Sequence, residues 1–310
     1  MENYVFSITK KKDKPFKILY LTDIQLHDGV SPVLTKGVIR QLVEKTSPDL
    51  IVHLGDIIDD SPEYSIKQNL KAVLDLIDSF GIPWTTIFGN HDHDYCPIWF
   101  DSVKDSTDPW LVEQFKSRKN CLFAEGPDDV DGLGNFVINV KEETGEIFRA
   151  LYFFDTRLAG VNETHTAFYR REVARSKELN GGKPAQSVVN IHIALPEWRF
   201  IQDEQAEKDW ADCVGGFVGK VKNNLPSGTP TFFEAIKELG VTKTVICGHD
   251  HENAYAYNYQ GVQLIIAMKS SEGCNHDHYD KIGGTSLTLD GAEDKLEYLP
   301  AVIREEWKTR

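Results

Sequence analysis

The sequence lacks any long hydrophobic run and has a deficit of basic residues. No apolar stretch approaches the roughly 18 residues that a membrane-spanning helix requires, so we expect no transmembrane segment. The chain carries 48 Asp and Glu against 34 Lys and Arg, which gives a formal net charge of −14. This excess of negative charge disfavours long nucleic acids and anionic membrane surfaces, and we expect neither as a partner. A small anionic substrate is compatible with it, because bound cations can dominate the charge inside a site.

Cysteine is also scarce. The five cysteines are an odd number and show no paired spacing, whereas secreted proteins more often carry an even set joined in disulfides. Residues 1–17 are polar and lack the apolar core of a secretory signal. We therefore predict a cytoplasmic protein with reduced thiols. Nothing in the sequence marks a domain boundary, so we predict a single domain over residues 1–310.

The sequence does contain an alternation of strand-like and helix-like segments. Segments 17–21, 50–54 and 84–88 are short and apolar, as strands of a buried sheet are. Between them, segments 33–45 and 66–80 have apolar residues at helical spacing. Strands that alternate with helices predict a parallel sheet with right-handed crossovers.

The second half of the chain is richer in strands. Segments 135–140 and 148–154 flank a turn and predict a hairpin. Further strand-like segments lie at 188–193, 244–247, 255–259, 262–267, 284–289 and 295–299. The strands from residue 255 onward predict a second sheet. Segment 215–230, rich in Gly, Asn and Pro, predicts a mobile loop.

Side chains of the types that commonly bind metals lie at or just after the ends of five predicted strands. They are Asp23, Asp56, Asn90, His192 and His249, with His251 two residues further on. Because sites in an open α/β sheet collect at the carboxyl ends of its strands, we expect these residues to form one site. Residues two apart in an extended chain share a side, so residue 25 should accompany Asp23. Mixed oxygen and nitrogen ligands suit Mn, Fe or Zn better than Ca.

Five short motifs contain these residues in a fixed order. They are Asp23-x-Gln25, Gly55-Asp56-x-x-Asp59, Gly89-Asn90-His91-Asp92, the lone His192 and Gly248-His249-Asp250-His251. This order resembles the calcineurin-like metallophosphoesterase family, and segments 190–197 and 248–253 are similar to its purple-acid-phosphatase-like subgroup. The resemblance implies an α/β fold in which a two-sheet β-sandwich is flanked by helices, in four αββα layers.

The resemblance also implies a centre of two divalent or trivalent metal ions. The first ion would be bound by Asp23, Asp56 and His251, and the second by Asp56, Asn90, His192 and His249. A hydroxide bridging the two ions would attack phosphorus in line with the leaving group. His91 would protonate the leaving-group oxygen or stabilise its charge without binding a metal. Asp92 would orient the His91 ring.

Residue 25 departs from the pattern of the family, in which most members have a His there as a ligand of the first metal. The amide oxygen of Gln25 can bind a metal, but more weakly than imidazole does. His27 is an alternative ligand if the strand extends that far. Asp59 stands where purple acid phosphatases have a Tyr, and we interpret Asp59 and Asp60 as turn or cap residues.

Other polar and aromatic residues near these motifs allow two interpretations. We interpret His53 as a core histidine, and His93 and Asp94 as solvated loop residues. The cluster Cys274-Asn275-His276-Asp277-His278 is interpreted as an exposed loop, with contact to substrate or a third metal as the alternative. Four aromatic residues either line the site or pack a helix onto the sheet: Tyr95, Trp99, Phe100 and Trp110.

Together these features predict a metal-dependent phosphoric ester hydrolase. We expect a phosphomonoesterase whose substrate is a small phosphate ester or a phosphoprotein. The alternatives are a phosphodiesterase for cyclic or small nucleotide substrates, and a catalytically silent relative that binds phosphate. The presence of His91 and Asp92 disfavours the silent alternative, because a protein that only binds has no need of a leaving-group acid.

Overall fold

The computed structural model describes most of the chain as a set of strands and helices. The described residues are 2–27, 32–59, 64–93, 107–199, 214–217, 227–272, 279–291 and 293–308. The strands are β1 (Val5–Thr9), β2 (Phe16–Leu21), β3 (Leu50–His53), β4 (Trp84–Thr86), β5 (Phe136–Lys141), β6 (Ile147–Phe153), β7 (Gln186–Asn190), β8 (Val214–Phe217), β9 (Thr242–Cys247), β10 (Ala254–Tyr259), β11 (Val262–Ile266), β12 (Gly283–Leu289) and β13 (Lys295–Pro300). The helices are α1 (Pro32–Thr46), α2 (Tyr64–Ser79), α3 (Thr107–Lys116), α4 (Glu163–Leu179) and α5 (Thr231–Leu239).

The smaller of two sheets has the strand order β13-β12-β2-β3-β4. Strands β2, β3 and β4 are parallel, and α1 and α2 connect them. The amphipathic pattern of α2 explains its position, because Leu70, Val73, Leu74 and Ile77 recur at helical spacing and are all buried. Since the three strands run in the same direction, their carboxyl ends lie at one edge of the sheet.

The larger sheet has the strand order β1-β5-β6-β7-β9-β11-β10-β8. Its central strands β6, β7, β9 and β11 are parallel. Strand β5 pairs antiparallel with β6, and β10 pairs antiparallel with β11 and β8. The neighbouring strands β7 and β9 therefore end side by side, and the residues after them emerge at the same edge.

Helices cover both sheets. Helix α1 packs on β2, β12 and α2, while α4 packs on β6 and α5, and α5 packs on β9. One continuous core of buried apolar side chains draws on both sheets, with Ile18 and Ile51 from the smaller and Leu151 and Ile246 from the larger. The predicted α/β architecture, two sheets flanked by helices, is confirmed.

The strand and helix alternation predicted for residues 17–88 is also confirmed, since β2, α1, β3, α2 and β4 occur in that order. The hairpin predicted within residues 135–154 is present as β5 and β6. Apolar period and turn residues are local signals, so they identify these elements without knowledge of the rest of the chain.

The prediction of a separate second sheet in the tail is wrong. Strands β10 and β11 extend the larger sheet, whereas β12 pairs with β2 and β13 pairs with β12 in the smaller one. A strand pattern does not say which distant strand is the partner, and pairing with the next strand along the chain is only the commonest outcome. Val5–Thr9, in a segment expected only to be polar, is the edge strand β1 and is half exposed.

The loop predicted at 215–230 is partly replaced by β8, which pairs with β10, and residues 218–226 lie outside the described residues. The cluster 274–278, the acidic residues Asp60 and Asp94, and the aromatic residues Tyr95, Trp99 and Phe100 also lie outside them. Among the helices that the structure describes, none is long and apolar enough to cross a membrane.

Candidate metal centre

The residues after β2 and β3 stay paired beyond the ends of both strands. Asp23 N donates to Gly55 O at 3.1 Å, and Gln25 N donates to Asp56 O at 2.9 Å. The tails of two parallel strands thus run side by side. This pairing places Asp23, Gln25 and Asp56 at one edge of the smaller sheet.

Two histidines reach this edge from the larger sheet. His192 follows β7, is fully buried, and its Nδ1 lies 2.7 Å from Leu54 O, just past β3. His249 follows β9, and its backbone N donates to Asp23 Oδ2 at 3.0 Å. The strand ends of both sheets therefore converge on one site, which lies between the sheets.

The backbone at this site is not extended. The φ angles of Asp23, Gln25, Asp56 and His249 are 51°, 43°, 56° and 69°, in the left-handed region that non-glycine residues seldom occupy. The premise of an extended chain, from which we expect residue 25 to accompany Asp23, is therefore wrong. Residue 25 still accompanies Asp23, because the backbone pairing with the tail of β3 holds both. Such conformations cost roughly 1–3 kcal/mol each and cluster at functional sites.

Two groups of three ligand-type side chains form at this edge. One consists of Asp56, His192 and His249, and the other of Asp23, Asp56 and His251, with the ligand atoms of each group within 4.8 Å of one another. Asp56 belongs to both. His192 Nε2 lies 3.2 Å from Asp56 Oδ2 and 3.2 Å from Asn90 Oδ1, and His251 Nε2 lies 3.0 Å from Asp23 Oδ1. The two groups are therefore candidate positions for two ions that would share Asp56.

The electrostatics of the site fit cations. Burial opposes a charge on His192, yet the Asp56 and Asp23 carboxylates outweigh it and raise the pKa of His192 to about 9. Burial likewise works against the Asp23 carboxylate, but His251 and His192 hold the pKa of Asp23 below its usual range. The site thus attracts positive charge, either as a protonated imidazole or as bound metal ions.

His249 is held in the form that binds a metal. Burial, followed by repulsion from His192, lowers the pKa of His249 to about 4, so its imidazole is neutral at physiological pH. Metal ligation requires a neutral imidazole. In His192, Nδ1 is directed at Leu54 O, which leaves Nε2 facing the Asp56 and Asn90 oxygens. The residues that fit a centre of two metal ions are therefore Asp23, Asp56, Asn90, His192, His249 and His251.

The comparison with known families agrees with this geometry. The family profile described as calcineurin-like phosphoesterase matches residues 16–253, which include all of these side chains. The chain belongs to the calcineurin-like phosphoesterase family.

Relatives of this chain occur among curated proteins and solved structures. The chain is 25% identical over 315 residues to an Arabidopsis thaliana protein named probable inactive purple acid phosphatase 14, covering 87% of this chain and 73% of the relative. It is 40% identical over 80 residues to an uncharacterized metallophosphoesterase of Bacillus subtilis, covering 25% of this chain and 27% of that protein. A dimetal phosphatase structure from Danio rerio has a TM-score of 0.51 at 11% identity, covering 93% of this chain and 100% of that one. Identity this low establishes the fold alone.

Two glycines let the loops of the candidate site approach each other. Gly55 has φ 93°, and a Cβ there would lie 2.5 Å from Gly89 N and 2.8 Å from His192 Nδ1. A Cβ on Gly89 would overlap Asp56 Oδ1. Glycine at both positions is what allows Asp56 to lie in the shared position between the two groups.

Asp92 supports the loop that carries Asp56. Its Oδ2 accepts the N–H groups of Asp56 and Gly89, both at 2.8 Å, and its Oδ1 accepts those of Ile57 at 2.9 Å and Ile58 at 3.2 Å. Burial and the nearby Asp56 carboxylate raise the pKa of Asp92 to about 7. These contacts fix the backbone of the site, and the orientation of the His91 ring by Asp92, which the family resemblance implies, stays a prediction.

His91 lies beside the two groups and has a different carboxylate near its ring. Its side chain is 31% exposed, and its backbone N donates to Asp56 Oδ1 at 2.9 Å. Its Nδ1 lies 3.5 Å from Asp59 Oδ1. The interpretation of Asp59 as a mere turn or cap residue is therefore incomplete. The spacing Gly-Asp-x-x-Asp could have indicated this, because it puts two carboxylates on one loop beside the site.

Gln25 lies inside the site. Its side chain is 3% exposed, and Nε2 lies 3.2 Å from Asp56 Oδ2, the carboxylate common to both groups. A half-turn of the amide would direct its oxygen there instead, and that oxygen is the atom able to bind a cation. Neither three-residue group in the described part of the chain includes His27. The role of Gln25 as a ligand stays a prediction, and the geometry favours it over His27.

The remaining residues considered in the sequence analysis are buried or pack against the core. His53 is a core histidine as predicted: burial lowers its pKa to about 4, and Nδ1 contacts Thr86 Oγ1 at 3.2 Å. His93 is not a solvated loop residue, because it is mostly buried and lies 3.0 Å from Asp155. Trp110 packs against the core, with Lys67 Nζ 5.3 Å from its ring centroid. Burial raises the pKa of the free Cys121 and Cys247 thiols, which keeps them unreactive.

Gly89→Ala is expected to weaken metal binding by about ten- to a hundredfold, because the new Cβ must displace Asp56. Calorimetric titration of the metal-free protein with Mn²⁺ measures the affinity. Gly291→Ala is the matched control, since a Cβ there meets nothing within 4 Å. Wild-type affinity in Gly89→Ala would show that the site tolerates a shifted Asp56 carboxylate.

Gln25→His is expected to tighten metal binding by about tenfold, because imidazole replaces an amide oxygen as ligand. Gln25→Met keeps the length of the side chain and removes the amide, so it should weaken binding by a similar factor. Competition with a chelator, followed by metal analysis of the protein, measures both changes. The same occupancy in both variants and the wild type would exclude residue 25 as a ligand.

Proposed function

We propose that this protein is a dinuclear metal-dependent phosphatase that hydrolyses phosphate monoesters of small molecules or phosphoproteins. One observation carries the proposal: two three-residue ligand groups share Asp56, and His91 lies beside them with its backbone bonded to that same carboxylate. Membership of the calcineurin-like phosphoesterase family supports phosphate ester hydrolysis as the reaction class.

Metal ions bound in the two groups would supply a hydroxide at neutral pH and stabilise negative charge on the phosphoryl oxygens. The ligand set suits Mn, Fe or Zn, since it combines carboxylate, amide and imidazole donors. Asp56 belongs to both groups and would contribute to holding both ions, and its Oδ1 accepts the backbone N–H of His91. Asp23 and His251 would complete one position, and Asn90, His192 and His249 the other.

His91 would act on the leaving group. Its exposed fraction of 31% leaves the ring open to a substrate, unlike the buried His192. Asp59 Oδ1 lies 3.5 Å from Nδ1, and a carboxylate beside an imidazole can orient its ring. A charged imidazole can donate the proton on Nε2 to the departing oxygen. We therefore assign proton donation to His91 and orientation of its ring to Asp59.

The names of three relatives include the words probable inactive, which makes a silent binding protein the competing proposal. The parts that would matter only for turnover are nonetheless present in this chain. His91 is held by Asp56 and accompanied by Asp59, and Asp92 fixes the loop beneath it. A protein that only binds phosphate needs the cations but not a proton donor, so this arrangement supports an active enzyme.

Metal content and turnover together test the proposal. The protein is purified without chelators, analysed for Mn, Fe and Zn, and assayed with p-nitrophenyl phosphate and bis(p-nitrophenyl) phosphate with and without added Mn²⁺. We expect bound metal and faster cleavage of the monoester. Faster cleavage of the diester would favour a phosphodiesterase for small nucleotides. Bound metal without turnover of either ester would favour the silent binding protein.

His91→Ala is expected to retain both metals and to lose roughly 10²–10⁴-fold in kcat, the usual contribution of a general acid. The metals stay because the bond from the residue 91 backbone to Asp56 Oδ1 does not involve the ring. Asp59→Asn should lose less, since the imidazole itself is kept. Metal analysis and steady-state assays on the same preparations measure both effects. An unchanged kcat in His91→Ala would remove His91 from the reaction.

A further inference from the structure

We infer that His93 and Asp155 form a positioning pair that fixes the turn carrying His91, and that this pair controls departure of the leaving group. The inference rests on the proposed function, because it assigns a role to residues that act through His91. Neither residue belongs to the two ligand groups. Both were outside the set of site residues that the sequence indicated.

His93 is held on two sides. Its Nε2 lies 3.0 Å from Asp155 Oδ1, and the two side chains are 11% and 0% exposed. Its ring stacks on Phe88 with the ring centroids 5.0 Å apart and an interplanar angle of 26°. The hydrogen bond fixes the direction of the ring and the stack fixes its plane, so little rotation is left to this side chain.

Asp155 is itself a rigid acceptor. Its Oδ2 accepts Leu133 N at 2.7 Å, its Oδ1 accepts Arg157 N at 3.0 Å, and its own N donates to Asn135 Oδ1 at 3.2 Å. A carboxylate that receives backbone N–H groups on both oxygens is an acceptor, so His93 donates from Nε2. Asp155 follows β6 of the larger sheet, and these bonds make it part of that sheet's rim.

The turn His91–His93 is therefore anchored at two different sheets. Asp92 accepts backbone N–H groups from Asp56, Ile57 and Ile58 in the loop after β3, which belongs to the smaller sheet. His93 donates to Asp155 after β6, which belongs to the larger sheet. His91 precedes both anchors, and its own backbone N donates to Asp56 Oδ1 at 2.9 Å. The direction of its ring relative to the ligand groups also depends on how the two sheets hold the next two residues.

Loss of one anchor leaves the turn attached to the smaller sheet alone. The ligand groups do not include His93 or Asp155, so metal binding should persist while His91 shifts. A displacement of about 1 Å can reduce a rate by about 10²-fold. Because His91 acts on the leaving group, the loss should be larger for esters whose leaving group needs a proton. Phenyl phosphate has such a leaving group, whereas 2,4-dinitrophenolate departs readily without one.

The test uses the full-length metal-loaded protein and two variants of His93. His93→Phe keeps a ring to stack on Phe88 but cannot donate to Asp155, and His93→Gln loses the ring but keeps a donor. For His93→Phe we expect kcat on phenyl phosphate to fall about tenfold or more, and kcat on 2,4-dinitrophenyl phosphate to fall less than about twofold. His93→Gln should recover part of the loss. Asp155→Ala, which removes the acceptor, should resemble His93→Phe.

The double variant His91→Ala/His93→Phe shows whether the pair acts through His91. We expect it to be no slower on phenyl phosphate than His91→Ala alone, since there is no longer a ring to position. His165→Gln is the control, because its buried ring contacts the backbone O of Asp155 at 3.0 Å and not the carboxylate. It should leave the ratio of the two kcat values unchanged. The inference would be overturned if the kcat losses of His91→Ala and His93→Phe were additive in the double variant. An equal loss of kcat on both esters in His93→Phe would also overturn it.

A structural measurement gives a readout that does not depend on activity. Crystal structures of the metal-free wild type and of metal-free His93→Phe are expected to show the same positions for Asp56, His192 and His249. In the variant alone, the His91 ring should be displaced or present in several conformations. A His91 ring in its wild-type place would overturn the inference even if kcat fell. Absence of turnover in the wild type would contradict the proposed function instead, and the two results are separate.

Discussion

Everything in this site depends on burying two carboxylates, Asp23 and Asp56, next to each other. They are 1% and 0% exposed, and their ligand atoms lie within 4.8 Å. Two negative charges at that separation repel by about 3–4 kcal/mol even at an effective dielectric constant near 20, before the cost of removing them from water. Single N–H donors cannot offset this, and the elevated pKa of His192 shows the site drawing in a proton. Two bound cations would offset it far more completely.

The same constraint explains the backbone of the site. Carboxylates that face each other must come from loops that approach more closely than side chains on ordinary strands allow. The left-handed φ angles at Asp23, Asp56 and His249, and the glycine at 89, achieve this approach at a cost in local stability. Contacts outside the ligand groups offset that cost, such as the hydrogen bonds from four backbone N–H groups to the Asp92 carboxylate. The residues whose backbone conformation would be unfavourable in isolation are thus held by contacts with the rest of the fold.

The sequence predicted the opening strands and the convergence of the candidate ligand side chains, for a physical reason. Apolar period and turn chemistry are local, and parallel strands must bring the residues at their carboxyl ends to one edge. The features it missed were long-range. The pairing of β12 with β2 joins residues more than 260 positions apart, and the contact of His93 with Asp155 joins the two sheets. Asp59 was misjudged because a carboxylate in a turn and a carboxylate beside an imidazole have the same spacing in the chain. Only the fold distinguishes them.

Ligand convergence alone does not decide between an enzyme and a binding protein. A binding protein of this family would need Asp23, Asp56 and the histidines just as an enzyme does, because the cations offset the buried charge in either case. The turn at His91–His93 provides no side chain to either ligand group, although the His91 backbone donates to the Asp56 carboxylate. It positions an accessible ring beside Asp59, and it is bonded to both sheets within three residues. A reaction rate can depend on positions to within about 1 Å, and a ring whose turn is fixed in this way meets that requirement. For that reason the anchoring of His91, more than the metal ligands, is what argues for catalysis in this chain.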